Sequence, residues 1–138
     1  MARLQLALNV SNLDKAVEFY SKLFGADVAK RRPGYANFEI ADPPLKLVLF
    51  ENPDAASRLN HLGVEVECPE KVVAVGERLK QADLVVKEQP QTTCCYALQD
   101  KVWVSDPDGE NWEIYTVLED STPSTREDAK AASVTCCS

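Results

Sequence analysis

The sequence lacks several features that would point to common classes of protein. No apolar run approaches the roughly 20 residues needed to span a bilayer. The amino-terminal residues Met1 to Leu6 lack the charged and apolar regions of a signal peptide. Acidic residues outnumber basic ones by 22 to 15, and the net charge of -7 argues against a nucleic-acid or membrane-surface partner. We therefore expect a cytoplasmic protein without either partner.

Histidine and cysteine are scarce, and their positions are informative. The chain has one histidine, His61, and five cysteines, an odd number that predicts no disulfide framework in a reducing compartment. Two cysteines, Cys94 and Cys95, are adjacent, and thiolates are soft ligands that prefer thiophilic centres. Two others, Cys136 and Cys137, form a second pair. The alternative for Cys94 and Cys95 is that they pack as small apolar residues. The alternative for Cys136 and Cys137 is that they lie at the end of a polar tail and have no function.

An internal repeat organises the chain into two modules. A shift of 56 residues superposes Val10 on Val66 and Asp27 on Asp83. Each module is predicted to run β-α-β-β-β, with module 1 over about residues 3–55 and module 2 over about 58–118. These modules form one predicted domain over residues 1–120. The polar stretch over residues 121–138 lacks apolar periodicity, which predicts a disordered tail.

The predicted elements follow from apolar spacing and from turn signals. The first helix extends from a cap at Ser11 or Asn12 to Gly25, and the second begins near Pro69. The inner faces of these helices are predicted to be Leu13, Val17, Tyr20, Leu23 and Phe24, and then Val72, Val75 and Leu79. The predicted strands are 4–10, 27–31, 35–40 and 45–50 in module 1, and 61–66, 84–88, 102–105 and 112–118 in module 2.

Three polar side chains are predicted to lie off the apolar faces of their strands. Because strand side chains alternate, Gln5 lies opposite the leucine face of its strand, and His61 occupies the equivalent position one repeat later. On the last strand, Glu113 is free to point the same way. An amide oxygen, an imidazole nitrogen and a carboxylate suit a borderline divalent metal with open positions for other ligands. The alternatives are a structural histidine and solvated glutamine and glutamate side chains.

The repeat and its polar positions resemble the vicinal oxygen chelate superfamily, over about residues 3–118. The resemblance implies an α+β fold in which two βαβββ modules form an open barrel around a metal site. Within that superfamily, four segments look like the ArsI-type carbon-arsenic lyases and their cadmium-induced relatives. These segments are 9–25, Asn-His-Leu-Gly at 60–63, Thr-Cys-Cys-Tyr at 93–96, and 100–109, which ends in Asp-Pro-Asp-Gly.

The resemblance also implies an activity, namely Fe(II)-dependent cleavage of trivalent organoarsenicals to arsenite, with O2 as co-substrate. It implies iron ligands at Gln5, His61 and Glu113 and arsenic-binding thiols at Cys94 and Cys95. The pair Cys136 and Cys137 would supply accessory thiols. The partner would be a small-molecule organoarsenical such as methylarsenite or a trivalent aromatic arsenical, and the working unit a monomer or homodimer. The alternative is a thiol-based protein of the same fold that binds cadmium or arsenite without turnover.

Two departures from related enzymes bear on the chemistry. Many enzymes of the superfamily use two histidines and one carboxylate, whereas this chain has Gln5 at the first position, which predicts weaker iron binding. Glyoxalase I has a further carboxylate on the last strand of its first module, but here that strand has none before Glu51. A three-residue set with open positions favours oxygen chemistry over isomerisation.

Overall fold

The computed structural model describes residues 2–94 and 97–120. The order of elements is β-α-β-β-β twice, and the mixed α+β class predicted from the sequence is confirmed. The elements are β1 (Arg3–Val10), α1 (Leu13–Phe24), β2 (Lys30–Arg32), β3 (Tyr35–Ile40), β4 (Leu45–Glu51), β5 (Leu59–Glu65), α2 (Pro69–Gln81), β6 (Lys87–Cys94), β7 (Ala97–Ser105) and β8 (Asn111–Asp120).

The first compact unit comprises Arg3–Leu62. Its strands β2, β3 and β4 are antiparallel neighbours, and β1 lies parallel to β4 with Gln5 opposite Lys46. Helix α1 covers one face of these strands, because its apolar stripe packs on buried residues of β3 and β4. The helix begins where the Asn12 side chain accepts the Lys15 N–H, and it ends at Gly25 in a left-handed conformation.

The second compact unit runs from Gly63 to the end of the described chain. Strands β6, β7 and β8 form antiparallel pairs, with Trp103 opposite both Lys87 and Glu113. Helix α2 packs on β7 and β8 through a smaller apolar cluster of buried residues, namely Val66, Val72, Val102 and Ile114. None of the described helices is both long and apolar enough to cross a membrane.

The structure corrects several predicted boundaries. Strand β2 is shorter than predicted, and β6 and β7 are longer, so that they form a hairpin whose strands end at Cys94 and begin at Ala97. The full length of β6 was not predicted because the residues around Pro90 are polar. Among the described strands, β6 has β7 as its one neighbour. A proline is tolerated at such a sheet edge.

Two further predictions have different outcomes. Leu23 is 57% exposed, so its prediction as an inner-face residue of α1 is wrong. It lies just before the helix end, where the inner face is completed instead by Phe24. The prediction of a disordered tail over residues 121–138 falls outside the described residues.

Candidate metal site

Two of the predicted ligands meet inside the first unit. Gln5 on β1 and His61 on β5 are only 4% and 3% exposed. The Nε2 atom of Gln5 lies 2.9 Å from the Nε2 atom of His61, although the residues are 56 positions apart. A solvated glutamine is therefore wrong for Gln5. The predicted repeat equivalence places an amide and an imidazole in direct contact.

His61 is held from its other side by asparagines. Its Nδ1 atom lies 2.7 Å from the Oδ1 atom of Asn60, and the Asn60 amide donates to the Oδ1 atom of Asn9 at 3.0 Å. Asn9 in turn donates to the backbone carbonyl of Ser57 at 2.9 Å. The Phe50 ring packs beside the imidazole with its centroid 6.4 Å away. The imidazole is thus fixed by hydrogen bonds and by an aromatic contact.

Sequence reasoning missed Asn9 and Asn60 as hydrogen-bonding partners behind His61. One signal was available, because the 56-residue repeat sets Asn60 against Leu4. A polar residue at a position that is apolar in the other module indicates a local requirement. Asn9 gave a weaker signal, since it shares the face of Gln5 on β1 and is 8% exposed.

The third predicted ligand, Glu113, lies on β8 of the second unit. It is 3% exposed, so a solvated carboxylate is wrong here as well. Lys101 Nζ lies 2.8 Å from its Oε1 atom, and the lysine side chain has no exposure at all. The ammonium also lies 5.5 Å from the Trp103 ring centroid and 5.9 Å from that of Tyr115. Sequence reasoning missed Lys101, whose ammonium balances a buried carboxylate.

The donor types in the first unit fit a divalent metal. A neutral imidazole has one lone pair in the ring plane that can bind a metal cation. An amide oxygen is also a neutral ligand atom for a metal cation. Within residues 2–94 and 97–120, no three side chains of histidine, cysteine, aspartate or glutamate group together. The predicted set contains only two of those types, because its first member is a glutamine. The full three-residue set stays a prediction.

Of the predicted thiol residues, Cys94 has its backbone in the described part of the chain. The backbone of Cys94 ends β6 opposite Ala97, whereas Glu113 aligns through Trp103 with Lys87 at the start of β6. The seven steps from Lys87 to Cys94 span about 23 Å of strand at about 3.3 Å per residue. Register alone therefore does not bring Cys94 to Glu113. The predicted thiols Cys95, Cys136 and Cys137 lie outside the described residues.

A bend occurs in the strand that carries Cys94. The pairing of β6 with β7 shifts between Gln89 and Thr92, and Gln91 has a positive φ of 47°. The backbone N–H of Gln91 donates to an Asp100 carboxylate oxygen at 2.6 Å. Such bulges bend a strand and redirect the residues beyond it. The bend lies between the segment aligned with Glu113 and the backbone of Cys94.

An open depression lies on the second unit beside Trp103. It has a volume of about 680 Å³, and its lining includes Lys87, Gln89, Ser105 and Asn111. The Trp103 indole N–H donates to the Gln89 amide oxygen at 3.0 Å, which fixes the ring orientation. Because Trp103 is opposite Glu113 in the β7–β8 register, an aromatic wall lies next to the buried carboxylate.

The carboxylate at the end of the last strand of the first module has a structural role. Glu51, at the end of β4, accepts the backbone N–H of Leu13 at 2.8 Å through its Oε2 atom. Leu13 is the first residue of α1, where the helix dipole favours a negative charge. Glu51 therefore stabilises a helix start.

Comparisons with known proteins extend these observations. The family model described as "Glyoxalase/Bleomycin resistance protein/Dioxygenase superfamily" matches residues 3–114. The "Cadmium-induced protein CadI" of Mycobacterium tuberculosis is 62% identical over 121 residues, which cover 88% of this chain and 80% of that protein. The "Trivalent organoarsenical cleaving enzyme" of Thermomonospora curvata is 53% identical over 138 residues, covering 99% and 89% respectively. The resemblance to carbon-arsenic lyases is therefore confirmed.

A solved structure supports the fold. Homoprotocatechuate 2,3-dioxygenase from Arthrobacter globiformis matches with a TM-score of 0.63 at 20% identity. The match covers 90% of this chain but only 38% of the dioxygenase chain, so it supports the fold alone. Together with the family model and the close relatives, it places the α+β repeat among known proteins. The chain belongs to the glyoxalase, bleomycin resistance protein and dioxygenase superfamily.

Proposed function

We propose that this chain is an Fe(II)-dependent, dioxygenase-type enzyme that cleaves the carbon-arsenic bond of trivalent organoarsenicals and thereby detoxifies arsenic. The observation that carries the proposal is the buried contact between Gln5 and His61, at 2.9 Å, in a chain with an organoarsenical-cleaving relative over nearly its whole length. Without metal, the Gln5 amide and the His61 imidazole satisfy each other by this hydrogen bond, and a divalent metal can use both an amide oxygen and an imidazole nitrogen as ligands.

Three side chains would hold the iron in this proposal. His61 would bind through Nε2, while Asn60 keeps the ring in place through Nδ1. Gln5 would have to turn its amide so that the oxygen replaces the nitrogen that now faces His61. Glu113 would supply the negative charge that two neutral ligands lack. Bound iron would supply access to dioxygen, which protein side chains do not have.

The thiols would bind the substrate. In methylarsenite, CH3As(OH)2, two thiols displace both hydroxyl groups as water and form two arsenic-sulfur bonds, which leaves the methyl group on arsenic. Cys94 and Cys95 are proposed for this role, with Cys136 and Cys137 as accessory thiols. The backbone of Cys94 ends β6, beyond the register shift and the positive φ at Gln91.

The reaction balances for a methyl substituent without a further reductant. CH3As(OH)2 and O2 give As(OH)3 and CH2O: the carbon-arsenic bond breaks, the carbon is oxidised to formaldehyde, and each product receives one oxygen atom. An aryl group differs because its release as a phenol consumes two additional electrons and two protons. An added thiol reductant would have to supply them. The stoichiometry therefore distinguishes the two substrate classes.

The test combines product analysis with thiol variants. Protein loaded with Fe(II) under nitrogen is given methylarsenite and then O2, and arsenite and formaldehyde should form in equal amounts. Cys94→Ser and Cys95→Ser should each lower the rate by at least 100-fold and retain bound iron. Cys68→Ser is the matched control, because Cys68 is a half-buried free thiol before α2. Full activity in both thiol variants, or no arsenite from the parent protein, would reject the proposal.

A second function is favoured by the relatives named as cadmium-induced, at 62% identity. In this alternative the thiols bind cadmium or arsenite, and no bond is cleaved. The same assay separates the two functions when it is combined with equilibrium dialysis of the soft ion. Tight binding of cadmium or of the intact arsenical, without arsenite release at any Fe(II) concentration, would favour sequestration.

A further inference from the structure

The hydrogen bonds behind His61 have a direction that can be deduced from one atom. Asn9 contacts the backbone carbonyl of Ser57 at 2.9 Å, and a carbonyl oxygen only accepts. The Asn9 atom in this contact must therefore be Nδ2. Its Oδ1 atom then faces Asn60 as an acceptor, at 3.0 Å. Asn9 cannot be reversed without losing both contacts.

The direction continues to the imidazole. Because Asn9 accepts, the Asn60 atom that faces it must be the donor Nδ2, so that the Oδ1 atom of Asn60 faces His61. An oxygen acceptor 2.7 Å from Nδ1 requires the proton to be on Nδ1. In the neutral ring Nε2 then carries the lone pair, and the Gln5 amide donates to it. All these contacts agree with one arrangement of protons.

The backbone fixes the start of this chain of contacts. The Asn9 N–H donates to the Arg58 carbonyl at 2.7 Å, next to the Ser57 carbonyl that the Asn9 side chain uses. Asn9 therefore joins β1 to the segment that leads into β5 by two bonds. The two amides are partly or fully buried, so reversing one would leave like atoms facing each other away from water.

We propose that Asn60, oriented by Asn9, is a positioning residue that holds His61 as the Nδ1–H tautomer and reserves Nε2 for the metal. The tautomer rests on the hydrogen bonds alone, whereas its use in metal binding rests on the proposed function. Histidines that bind metals commonly donate their other ring N–H to a neighbouring acceptor, and loss of that acceptor weakens metal binding by about 10- to 100-fold. Here a side-chain amide would serve as that acceptor.

The single histidine allows a direct test without metal. The full chain is labelled with ¹⁵N-histidine, freed of metal with a chelator, and studied by long-range ¹H–¹⁵N correlation at a pH where the ring is neutral. We expect the proton on Nδ1. Asn60→Leu should shift the population toward Nε2–H, because leucine has similar size and no acceptor. Asn60→Asp keeps an acceptor at Nδ1, although its second oxygen then faces the Asn9 Oδ1 atom, and it should recover most of the Nδ1–H population.

Fe(II) titration is the second readout. Asn60→Leu should weaken binding by about 10- to 100-fold, and Asn60→Asp should recover most of the loss. Asn52→Leu is the matched control at an exposed asparagine of the same unit, and it should change neither readout. If Asn60→Leu does not fold, Asn9→Leu tests the same chain, since it frees the Asn60 amide to reverse and should also raise Nε2–H.

The outcomes separate this inference from the proposed function. A proton on Nε2 in the parent protein, or a tautomer that Asn60→Leu leaves unchanged, overturns the positioning role whatever the enzyme does. An Nδ1–H tautomer lost in Asn60→Leu, with weaker Fe(II) binding, supports it. If the parent protein does not bind Fe(II), the metal role is overturned together with the proposed iron site, and arsenite release then decides the proposed activity separately.

Discussion

The two units bury their polar groups by different means. In the first, His61 lies in a chain of neutral amides and an imidazole, in which each group has a fixed direction. In the second, Lys101 and Glu113 form an ion pair with 0% and 4% side-chain exposure. The neutral side chains of Gln5 and His61 can bind a metal without breaking an ion pair. A cation that binds Glu113 instead meets the charge of Lys101, so the two units should respond differently to mutation and to metal.

Breaking the ion pair should have the largest effect on stability. Lys101→Met removes the ammonium that lies 2.8 Å from the buried Glu113 carboxylate, which should lower the free energy of unfolding by about 3–5 kcal/mol. Urea denaturation of the metal-free protein measures the loss. The double variant Lys101→Met with Glu113→Gln removes both charges, and it should lie closer to the parent than Lys101→Met alone.

Adding Fe(II) to the same stability measurement tests whether Glu113 binds the metal. If Glu113 is an iron ligand, Fe(II) replaces the charge that Lys101→Met removed, so metal should stabilise this variant more than it stabilises the parent. The double variant should lose that extra stabilisation. An equal increase in melting temperature for Lys101→Met and the parent would contradict a role for Glu113 in metal binding.

Replacing the neutral ligand of the first unit should have the next largest effect. Gln5→His replaces the amide by a second imidazole and should tighten Fe(II) binding by about tenfold, or about 1.4 kcal/mol, since imidazole is the better donor for iron. Fe(II) titration under nitrogen gives the affinity. Gln81→His is the control, because Gln81 is exposed at the end of α2. No tightening in Gln5→His would argue against Gln5 as a ligand.

The sequence predicted the repeat and the positions of Gln5 and His61 because both depend on periodicity. Strand alternation and a 56-residue offset suffice to place these two residues on equivalent strands. The full hairpin of β6 and β7 was missed, because the polar residues around Pro90 show no alternation of apolar and polar side chains. Pairing with β7 is what holds this segment as a strand. Lys101 was missed because its pairing with Glu113 depends on a tertiary contact, and the role of Asn60 was missed because its orientation depends on Asn9, 51 positions away.

The two helices allow the same substitution to be tested in opposite directions. Gly25 ends α1 with a φ of 60°, so Gly25→Ala should destabilise by about 1 kcal/mol through backbone strain. Gly76 lies within α2, and an added Cβ would meet Val102 at 3.5 Å, an ordinary contact. Gly76→Ala should therefore stabilise by about 0.5–1 kcal/mol. Thermal melts of both variants check the signs, and the same sign in both would refute this comparison.

The smallest effect concerns an exposed pair at the start of α2. The hydrogen bond from Lys71, 2.8 Å from Glu67, lowers the pKa of Glu67 against the opposing effect of desolvation, and the same bond raises the pKa of Lys71. The Glu67 contribution to stability is therefore present at neutral pH and lost as the pH falls through its lowered pKa. The Lys71 contribution is lost only as the pH rises through its raised pKa. Lys71→Gln should lower the melting temperature slightly at pH 7, and this difference should vanish in acid, in about 1 M salt, and in a Glu67→Gln background. A difference that persists in acid would assign the effect to packing of the lysine stem on α2 instead of to charge.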